Sequence, residues 1–219
     1  EELKEMGFYQ PEFKWRKYEK GGFKTPTGKI ELYATQLADM GYDPLPYFEE
    51  PPESPYSTPE LAKEYPFILI TGARIPMFFQ SEYRQLPQLR KGRREPECEL
   101  NPATAKAIGV TEGDWVSIET PRGKCRQKVK IFEGIDPRVV HAQHGWWFPE
   151  EEDGPDHGNW RSNANTLTSM APPYCSAMGT YQLRALLCKI VKADEAEQPW
   201  RPPLPERYDS NVAEVQDWV

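Results

Sequence analysis

The sequence lacks the features that mark several large classes of protein. Its longest apolar stretches fall far short of the ~18 residues that a membrane-spanning helix needs. It has 27 Lys and Arg against 34 Asp and Glu, a net charge of −7, and no long basic stretch. Because nucleic-acid binding depends on neutralising phosphates, this balance argues against a nucleic-acid partner. We therefore expect no membrane span and no nucleic-acid-binding role.

Metal-ligating and nucleophilic residues are also sparse. The 4 Cys residues, Cys98, Cys125, Cys175 and Cys188, form no Cys-x-x-Cys pair, and there are only 3 His residues. Zinc and iron–sulfur sites usually draw on closely spaced Cys or His, so we expect no such site within this chain and four free thiols. No serine or cysteine triad, phosphate-binding glycine loop or zinc helix motif is recognisable. The sequence therefore predicts neither a catalytic residue nor a metal ligand.

The amino terminus lacks both an initiator Met and the apolar core of a signal peptide, since the chain begins Glu1-Glu2-Leu3-Lys4. Such a start is typical of a fragment or a processed product. Any export signal would lie upstream, so the localisation stays open between the cytoplasmic and the periplasmic side.

Proline, in contrast, is in excess, at 23 of 219 residues, about twice the usual ~5%. Seven prolines fall between Pro44 and Pro66, and four lie between Pro199 and Pro205. Because proline removes an amide donor and restricts the preceding residue, we expect no helix and no central strand in the first stretch. We predict four regions: an initial segment (1–43), an extended Pro-rich connection (44–66), a β-barrel (67–192) and a polar tail (193–219).

Hydrophobic patterns predict short strands between the proline-rich stretches. Residues 67–70 form a continuous apolar run, which is typical of a strand buried on both faces. Residues 115–120 and 124–132 alternate around the turn Pro121-Arg122-Gly123 and predict a hairpin. Further strands are predicted at 28–33, 139–142 and 183–191.

The clearest helix signal runs from Asn101 to Gly109. Asn101 can cap the helix, Pro102 suits its first position, and Gly109 suits its end. A shorter helix is predicted over 35–40, stopped by Gly41. Many short strands with few small helices favour a mainly β fold, a compact barrel, over a layered α/β sheet.

One candidate site follows the strand at 67–70. Gly72 lets a ligand approach the backbone, the Thr71 hydroxyl and nearby amides can hold a phosphate oxygen, and Arg74 can pair with that oxygen. Taken alone, these residues fit an ordinary strand-ending turn with a solvated arginine better.

A second candidate is the patch from His141 to Pro149. Two histidines three residues apart, followed by aromatics, fit a cleft for a flat heterocycle with His144 as donor. Aromatic core packing, with His144 satisfied by a backbone carbonyl, explains the pattern at least as well.

A third candidate is the polar stretch from Ser162 to Thr168. Its paired asparagine amides can read the edge of a ring, because an amide donates and accepts at once. For an isolated sequence, a loop whose asparagines make side-chain turns is the better interpretation.

Taken in order, several segments resemble the C-terminal part of molybdopterin oxidoreductases, the bis-molybdopterin guanine dinucleotide enzymes of the dimethyl sulfoxide reductase superfamily. Each segment is weak evidence alone, but five in the right order are specific. The resemblance covers residues 23–191, most of the chain. The segments are Phe23–Tyr33, Ile70–Arg74, Asn101-Pro102 through Trp115-Val116 to Arg122-Gly123, His144-Gly145 and Asn165–Thr168.

The resemblance implies a six-stranded double-psi β-barrel that closes over a bis-molybdopterin guanine dinucleotide carrying Mo or W. The implied cofactor-binding residues follow the first barrel strand, include the family's His-Gly and its Asn before Leu-Thr, and end with a basic residue near the last strand. That last position is usually lysine and matches an arginine here if no gap intervenes, which preserves charge but not geometry. These residues are Thr71, Gly72, Ala73, Arg74, Gln80, Ser81, His144, Asn165 and Arg184.

The chain also departs from the family. It has neither the N-terminal iron–sulfur cysteines nor the residue that ligates the metal, so an iron–sulfur cluster is expected only in a missing N-terminal part. Residues 1–43 would then belong to the preceding part of the enzyme, and the segment alone should not turn over substrate. The partners implied are the remaining domains of the catalytic subunit and, as an option left open, an iron–sulfur electron-transfer subunit.

Two alternatives remain beside this hypothesis. A double-psi barrel also serves as a binding or interaction module without pterin, and the same cofactor can support a non-redox hydration. The sequence leaves the substrate and the choice between Mo and W open.

Overall fold

The computed structural model describes residues 2–8, 12–72, 75–149 and 156–193. Contacts divide the chain into two units, residues 1–48 and residues 49–219. Most of the predicted Pro-rich connection therefore belongs to the same unit as the barrel. The predicted polar tail lies outside the described residues from residue 194 onward.

Six strands of the second unit close into a barrel, with the order β1-β5-β2-β4-β3-β6. The pairs β1–β5 and β2–β4 are parallel, and the other four pairs are antiparallel. This confirms the predicted mainly β fold, a six-stranded double-psi barrel. The strands are β1 (Phe67–Thr71), β2 (Glu97–Leu100), β3 (Trp115–Thr120), β4 (Gly123–Ile131), β5 (Val139–Ala142) and β6 (Leu186–Lys192).

The barrel encloses an aliphatic core to which every strand contributes. On β1 only Leu69 is fully buried, while its neighbours are half-buried, so burial on both faces was predicted too broadly. The hairpin of β3 and β4 forms as predicted, with Thr120 opposite Gly123 across its turn. The core includes Leu69, Cys98, Leu100, Val116, Ile118, Cys125, Val129, Val140, Leu186 and Cys188.

Helices are short throughout the described part of the chain, and none there is long and apolar enough to cross a membrane. The predicted Asn101 cap is confirmed: its side chain accepts a hydrogen bond from the Ala103 amide at 2.9 Å, and Gly109 ends the helix with φ +72°. The helices are α1 (Glu2–Met6), α2 (Thr35–Asp39), α3 (Pro59–Glu64), α4 (Pro87–Arg90), α5 (Pro102–Ile108), α6 (Asn159–Ser162) and a 3₁₀ turn (Ala164–Leu167).

Two local predictions were wrong. Helix α3 forms inside the Pro-rich connection, because Pro59 takes the first helical turn, where its missing amide hydrogen costs nothing. No strand forms at 28–33: among the described residues the segment has no pairing partner, and Ile30 and Leu32 stay exposed. Alternation alone does not make a strand without a neighbour.

The Pro-rich connection is attached to the barrel mainly through Glu53. Its carboxylate accepts two hydrogen bonds from the Arg122 guanidinium, at 2.7 and 3.0 Å, and one from the Leu187 amide at 2.6 Å. The Gln182 side chain also pairs with the Glu53 backbone in both directions, at 3.1 and 3.0 Å. These bonds fix the part of the connection that precedes α3 on the barrel.

Candidate functional site

A cavity of about 240 Å³ lies where β1 ends, and four parts of the chain meet in it: residues 71–80, 144, 164–168 and 183–184. Most of the residues implied by the family resemblance, Ser81 excepted among those described, line its wall. Ala73 and Arg74 lie outside the described residues. The lining residues are Thr71, Gly72, Gln80, His144, Ala164, Asn165, Thr168, Leu183 and Arg184.

A second cavity of about 470 Å³ shares Thr71, Gly72 and Arg184 with the first. Its wall also carries Glu99 and His141, which are joined by a 2.9 Å hydrogen bond from the His141 Nδ1 to a carboxylate oxygen. The two cavities thus meet at the end of β1. We call them together the β1 cleft.

Gly72 and Arg184 form the floor shared by both parts of the β1 cleft. Gly72 has φ +122°, a backbone conformation that residues other than glycine rarely adopt. A Cβ atom there would lie 3.3 Å from Arg184 Nη2, so the glycine leaves room for the guanidinium. Arg184 is exposed, and among the described residues no carboxylate pairs with it. A positive charge is therefore presented to the cleft.

Thr71 lines the cleft and also makes a local hydrogen bond. Its hydroxyl donates a hydrogen bond to the Leu183 carbonyl at 3.1 Å. That bond holds the segment that leads into Arg184. Since the hydroxyl hydrogen is engaged here, it is not free to donate to an acceptor in the cleft.

The loop that carries Gln80 and Ser81 packs closely on the loop after β5. Gly145 has φ +64°, and a Cβ atom there would lie 3.2 Å from the Ser81 amide nitrogen. The Trp147 indole donates a 2.6 Å hydrogen bond to the Ser81 carbonyl. Ser81 therefore lies behind Gln80 and His144 rather than in the wall of the cleft.

Arg84 is the main residue of this region that the sequence analysis missed. It is 1% exposed, and its guanidinium donates to three backbone carbonyls: Gly145 at 2.9 Å, Gln80 at 2.9 Å and His144 at 3.4 Å. Because Gln80 and His144 both line the cleft, Arg84 fixes the two loops that present them. Arg84 lies three residues before the start of α4 and belongs to no sequence motif, so no signal pointed to it.

The same guanidinium lies between two aromatic rings, 4.1 Å from the Trp146 centroid and 4.6 Å from the Phe78 centroid. With Phe148, these residues form what we call the aromatic–arginine cluster (Phe78, Arg84, Trp146 and Phe148). Burial, reinforced by the nearby Arg90, lowers the pKa of Arg84 to about 10, so it stays charged near neutral pH. For Trp146 and Phe148, aromatic core packing was the correct alternative.

The two asparagines of the third candidate differ in role. Asn163 accepts a 2.9 Å hydrogen bond from the Asn165 amide and donates to the Asn159 side chain at 2.6 Å. It makes the side-chain turn that the sequence alternative predicted. Asn165 instead is exposed and lines the cleft. One asparagine thus positions the other.

A group of charged side chains on the barrel strands adjoins the cleft. Lys130 donates to Glu99 at 2.9 Å, and His141 donates to the other oxygen of the same carboxylate. Burial opposes the charged form of Glu99, but these hydrogen bonds outweigh it and lower its pKa. Within the described ranges, no three Cys, His, Asp or Glu side chains group to hold a metal ion.

Comparison with known proteins identifies relatives of this chain. Residues 67–185 match the family described as the molydopterin dinucleotide binding domain. Dopamine dehydroxylase of Eggerthella lenta is 39% identical over 192 residues, which cover 85% of this chain and 18% of the relative. Dimethyl sulfoxide reductase DmsA of Escherichia coli (strain K12) is 32% identical over 158 residues, covering 68% of this chain and 19% of the relative.

A solved structure, that of acetylene hydratase from Pelobacter acetylenicus, matches 78% of this chain and 24% of its own chain, with a TM-score of 0.71 and 37% identity. The chain spans about a fifth of the length of the curated relatives it matches. The family match covers more than half of the chain and coincides with the barrel. The chain therefore belongs to the molydopterin dinucleotide binding domain family of the dimethyl sulfoxide reductase superfamily.

Proposed function

We propose that this chain binds a bis-molybdopterin guanine dinucleotide in the β1 cleft, as one domain of a molybdopterin-dependent enzyme. One observation carries the proposal: the family-implied residues Thr71, Gln80, His144, Asn165 and Arg184 come from distant parts of the sequence and line one cavity. Each of their segments was a weak motif in the sequence.

The chemistry of the wall fits such a group. A dinucleotide carries phosphates and flat heterocycles with donors and acceptors on their edges. Arg184 offers a charged fork for a phosphate, and Gly72 leaves the backbone open to close approach. The Asn165 and Gln80 amides and the His144 ring can pair with ring edges. The net charge of −7 is no obstacle, because local donors hold such a group.

The bound metal and pterin would supply the reaction chemistry, while this chain orients the group and limits its contact with water. No metal ligand is expected from the described residues. We therefore expect the chain alone to be inactive. The metal-ligating residue and any iron–sulfur cluster would come from the remaining domains of the catalytic subunit.

The exposed apolar side chains of the first unit (residues 1–48) support the proposal that further domains are present. Within residues 3–8 and 12–48 no side chain is buried, yet many are large and apolar. Trp15 is 80% exposed, Leu32 82% and Phe48 84%. A segment of this composition has no core of its own and gains stability when another surface covers it.

Substitutions in the full-length enzyme test the cleft. We expect Asn165→Ala and Arg184→Gln to reduce the guanine nucleotide and metal that co-purify with the protein by about tenfold, the effect of losing ~1.4 kcal/mol of binding. Gln88→Ala and Arg138→Gln are the matched controls, because both residues are exposed and neither lines the β1 cleft. Circular dichroism should show that all four variants fold.

Unchanged cofactor content in Asn165→Ala and Arg184→Gln would contradict the proposed site. If the folded wild-type enzyme contained no pterin or guanine nucleotide, the barrel would instead be a binding module without pterin. In that case the β1 cleft would have to hold a different partner.

Hydration on the same cofactor is the second candidate function, since the matched structure is an acetylene hydratase. Activity assays of the full-length enzyme distinguish redox turnover from hydration. Oxidation of a reduced viologen dye that depends on an added oxidant substrate would show redox turnover. Conversion of acetylene to acetaldehyde with no net electron transfer to or from a dye would show hydration.

A further inference from the structure

The segment 84–94 is strongly basic within an acidic chain. It contains five cations, Arg84, Arg90, Lys91, Arg93 and Arg94, and no acidic residue. It starts at the aromatic–arginine cluster and runs through α4. Although Arg93 pairs with Glu97, this concentration of charge makes the local field more positive than the overall charge of −7 predicts.

Arg84 has no counter-ion in the part of the chain that the structure describes. Its Nε and Nη2 bind neutral carbonyls, and its Nη1 is buried without a hydrogen-bond partner there. After burial, the second cause that lowers the pKa of Arg84 is another cation, Arg90. Burying a charge is unfavourable unless it is paired, so this site would be stabilised by an anion.

Next to this group lies a cavity of about 560 Å³, which we call the arginine cavity. It shares no lining residue with the β1 cleft. Among its described lining residues, the carboxylate is that of Glu95, which also lies 4.0 Å from Lys128 Nζ. The lining residues are Arg84, Gln85, Pro87, Arg90, Arg94, Glu95 and Pro149.

Other contacts also shape this cavity. The Arg90 guanidinium lies 5.4 Å from the Trp146 centroid, and its Nη1 donates to the Arg94 carbonyl. These contacts hold Arg90 near Arg84, although like charges repel. Arg94 is exposed at the rim. Three guanidinium groups thus converge where a small oxyanion could accept several charge-assisted hydrogen bonds.

We propose that the arginine cavity is a binding site for a small oxyanion, a phosphate or carboxylate group, separate from the β1 cleft. An anion there would pair with Arg84, whose other nitrogens hold the Gln80 and His144 loops. Occupancy would therefore also stabilise the loops that present these residues to the cleft.

Thermal unfolding of the full-length protein tests the proposal, with inorganic phosphate as the probe and sodium chloride at matched ionic strength as the reference. We expect phosphate to raise the Tm of the wild type saturably by about 3 °C. Arg90→Gln/Arg94→Gln should lose this response. Arg94→Gln alone, at an exposed position, should weaken it and guards against a folding defect in the double variant.

The matched control is Lys91→Gln, which removes the same charge from the same segment but does not line the cavity. Its phosphate response should equal that of the wild type, because phosphate also stabilises proteins in a general way that every variant shares. An equal Tm rise in all variants would overturn the proposal.

The source of the oxyanion is tested separately. The acidic run Glu150–Asp153 follows Pro149 in the sequence and lies outside the described residues. If phosphate raised the Tm only after these four residues were changed to amides, the carboxylates would belong to the chain itself. A site for an external oxyanion would then be ruled out. Cofactor content is measured independently, so this result would leave the proposed function unaffected.

Discussion

The barrel core and the aromatic–arginine cluster are both buried, but they are built from different chemistry. The core is aliphatic, and six strands hold it through regular backbone hydrogen bonds. The cluster has two irregular loops, three aromatic rings and one charged guanidinium that binds carbonyls. Apolar burial is non-directional, whereas the guanidinium fixes particular atoms at particular distances.

This difference matches the positions of the two regions. The core sets the barrel. The cluster sets Gln80 and His144, which line the β1 cleft. We therefore expect damage to the core to act globally and damage to the cluster to act locally.

The largest effect is expected from the core. Leu69→Ala should destabilise the protein by about 3 kcal/mol, because it removes a fully buried side chain from a closed barrel. Denaturant unfolding of the full-length protein measures this change. Val191→Ala, at a position that is 45% exposed on β6, is the control and should stay within ~0.5 kcal/mol of the wild type. Equal effects would contradict the assigned core.

Arg84→Lys should cost about 2 kcal/mol, since lysine keeps the charge but loses the fork that binds three carbonyls. The comparison predicts a local response. Hydrogen exchange should become faster at 80–84 and 144–147, while the amides of β3 and β4 keep their protection. Uniformly faster exchange would show that the cluster and the core are one cooperative unit.

The cap of α5 gives a smaller effect. Asn101→Ala should cost about 1 kcal/mol, because the Ala103 amide loses its acceptor. Asn101→Asp keeps that acceptor but removes the 2.8 Å bond to the Ile135 carbonyl. The alanine variant loses both bonds, so the aspartate variant should be less destabilised in denaturant unfolding. The reverse order would show that repulsion between the new carboxylate and the Ile135 carbonyl outweighs the cap.

The last prediction concerns the reactivity of the cysteine thiols, which reports on their burial and not on the free energy of unfolding. Burial raises the pKa of the Cys98, Cys125 and Cys188 thiols, while Cys175 is exposed. A thiol reagent should react quickly with one cysteine in the native protein and with four after unfolding. Cys175→Ser should remove the fast reaction. A second fast thiol would show that the barrel core opens readily.

Regular elements could be predicted because their signals are local. The Asn101 cap, the Gly109 stop and the hairpin around Pro121-Arg122-Gly123 each depend on neighbouring residues, and each forms. Strand β2 was missed because Glu97-Cys98-Glu99-Leu100 is short and lies after a basic loop. The strand at 28–33 was wrongly predicted because pairing is a long-range property.

The candidate site was predictable only as a set of fragments. No local pattern shows that Gln80, His144 and Asn165 meet, since barrel closure brings them together. Arg84 could not be identified at all, because a buried arginine has the same sequence signature as a solvated one. The family resemblance supplied the order of the fragments, and the fold supplies their convergence.

The nucleotide content of the purified full-length enzyme tests the central claim most directly. Acid hydrolysis releases GMP from a molybdopterin guanine dinucleotide, and it can be quantified against Mo and W in the same sample. The proposed bis-dinucleotide predicts two GMP for each metal atom, with both reduced together in Asn165→Ala. A folded enzyme with neither guanine nucleotide nor metal would contradict it.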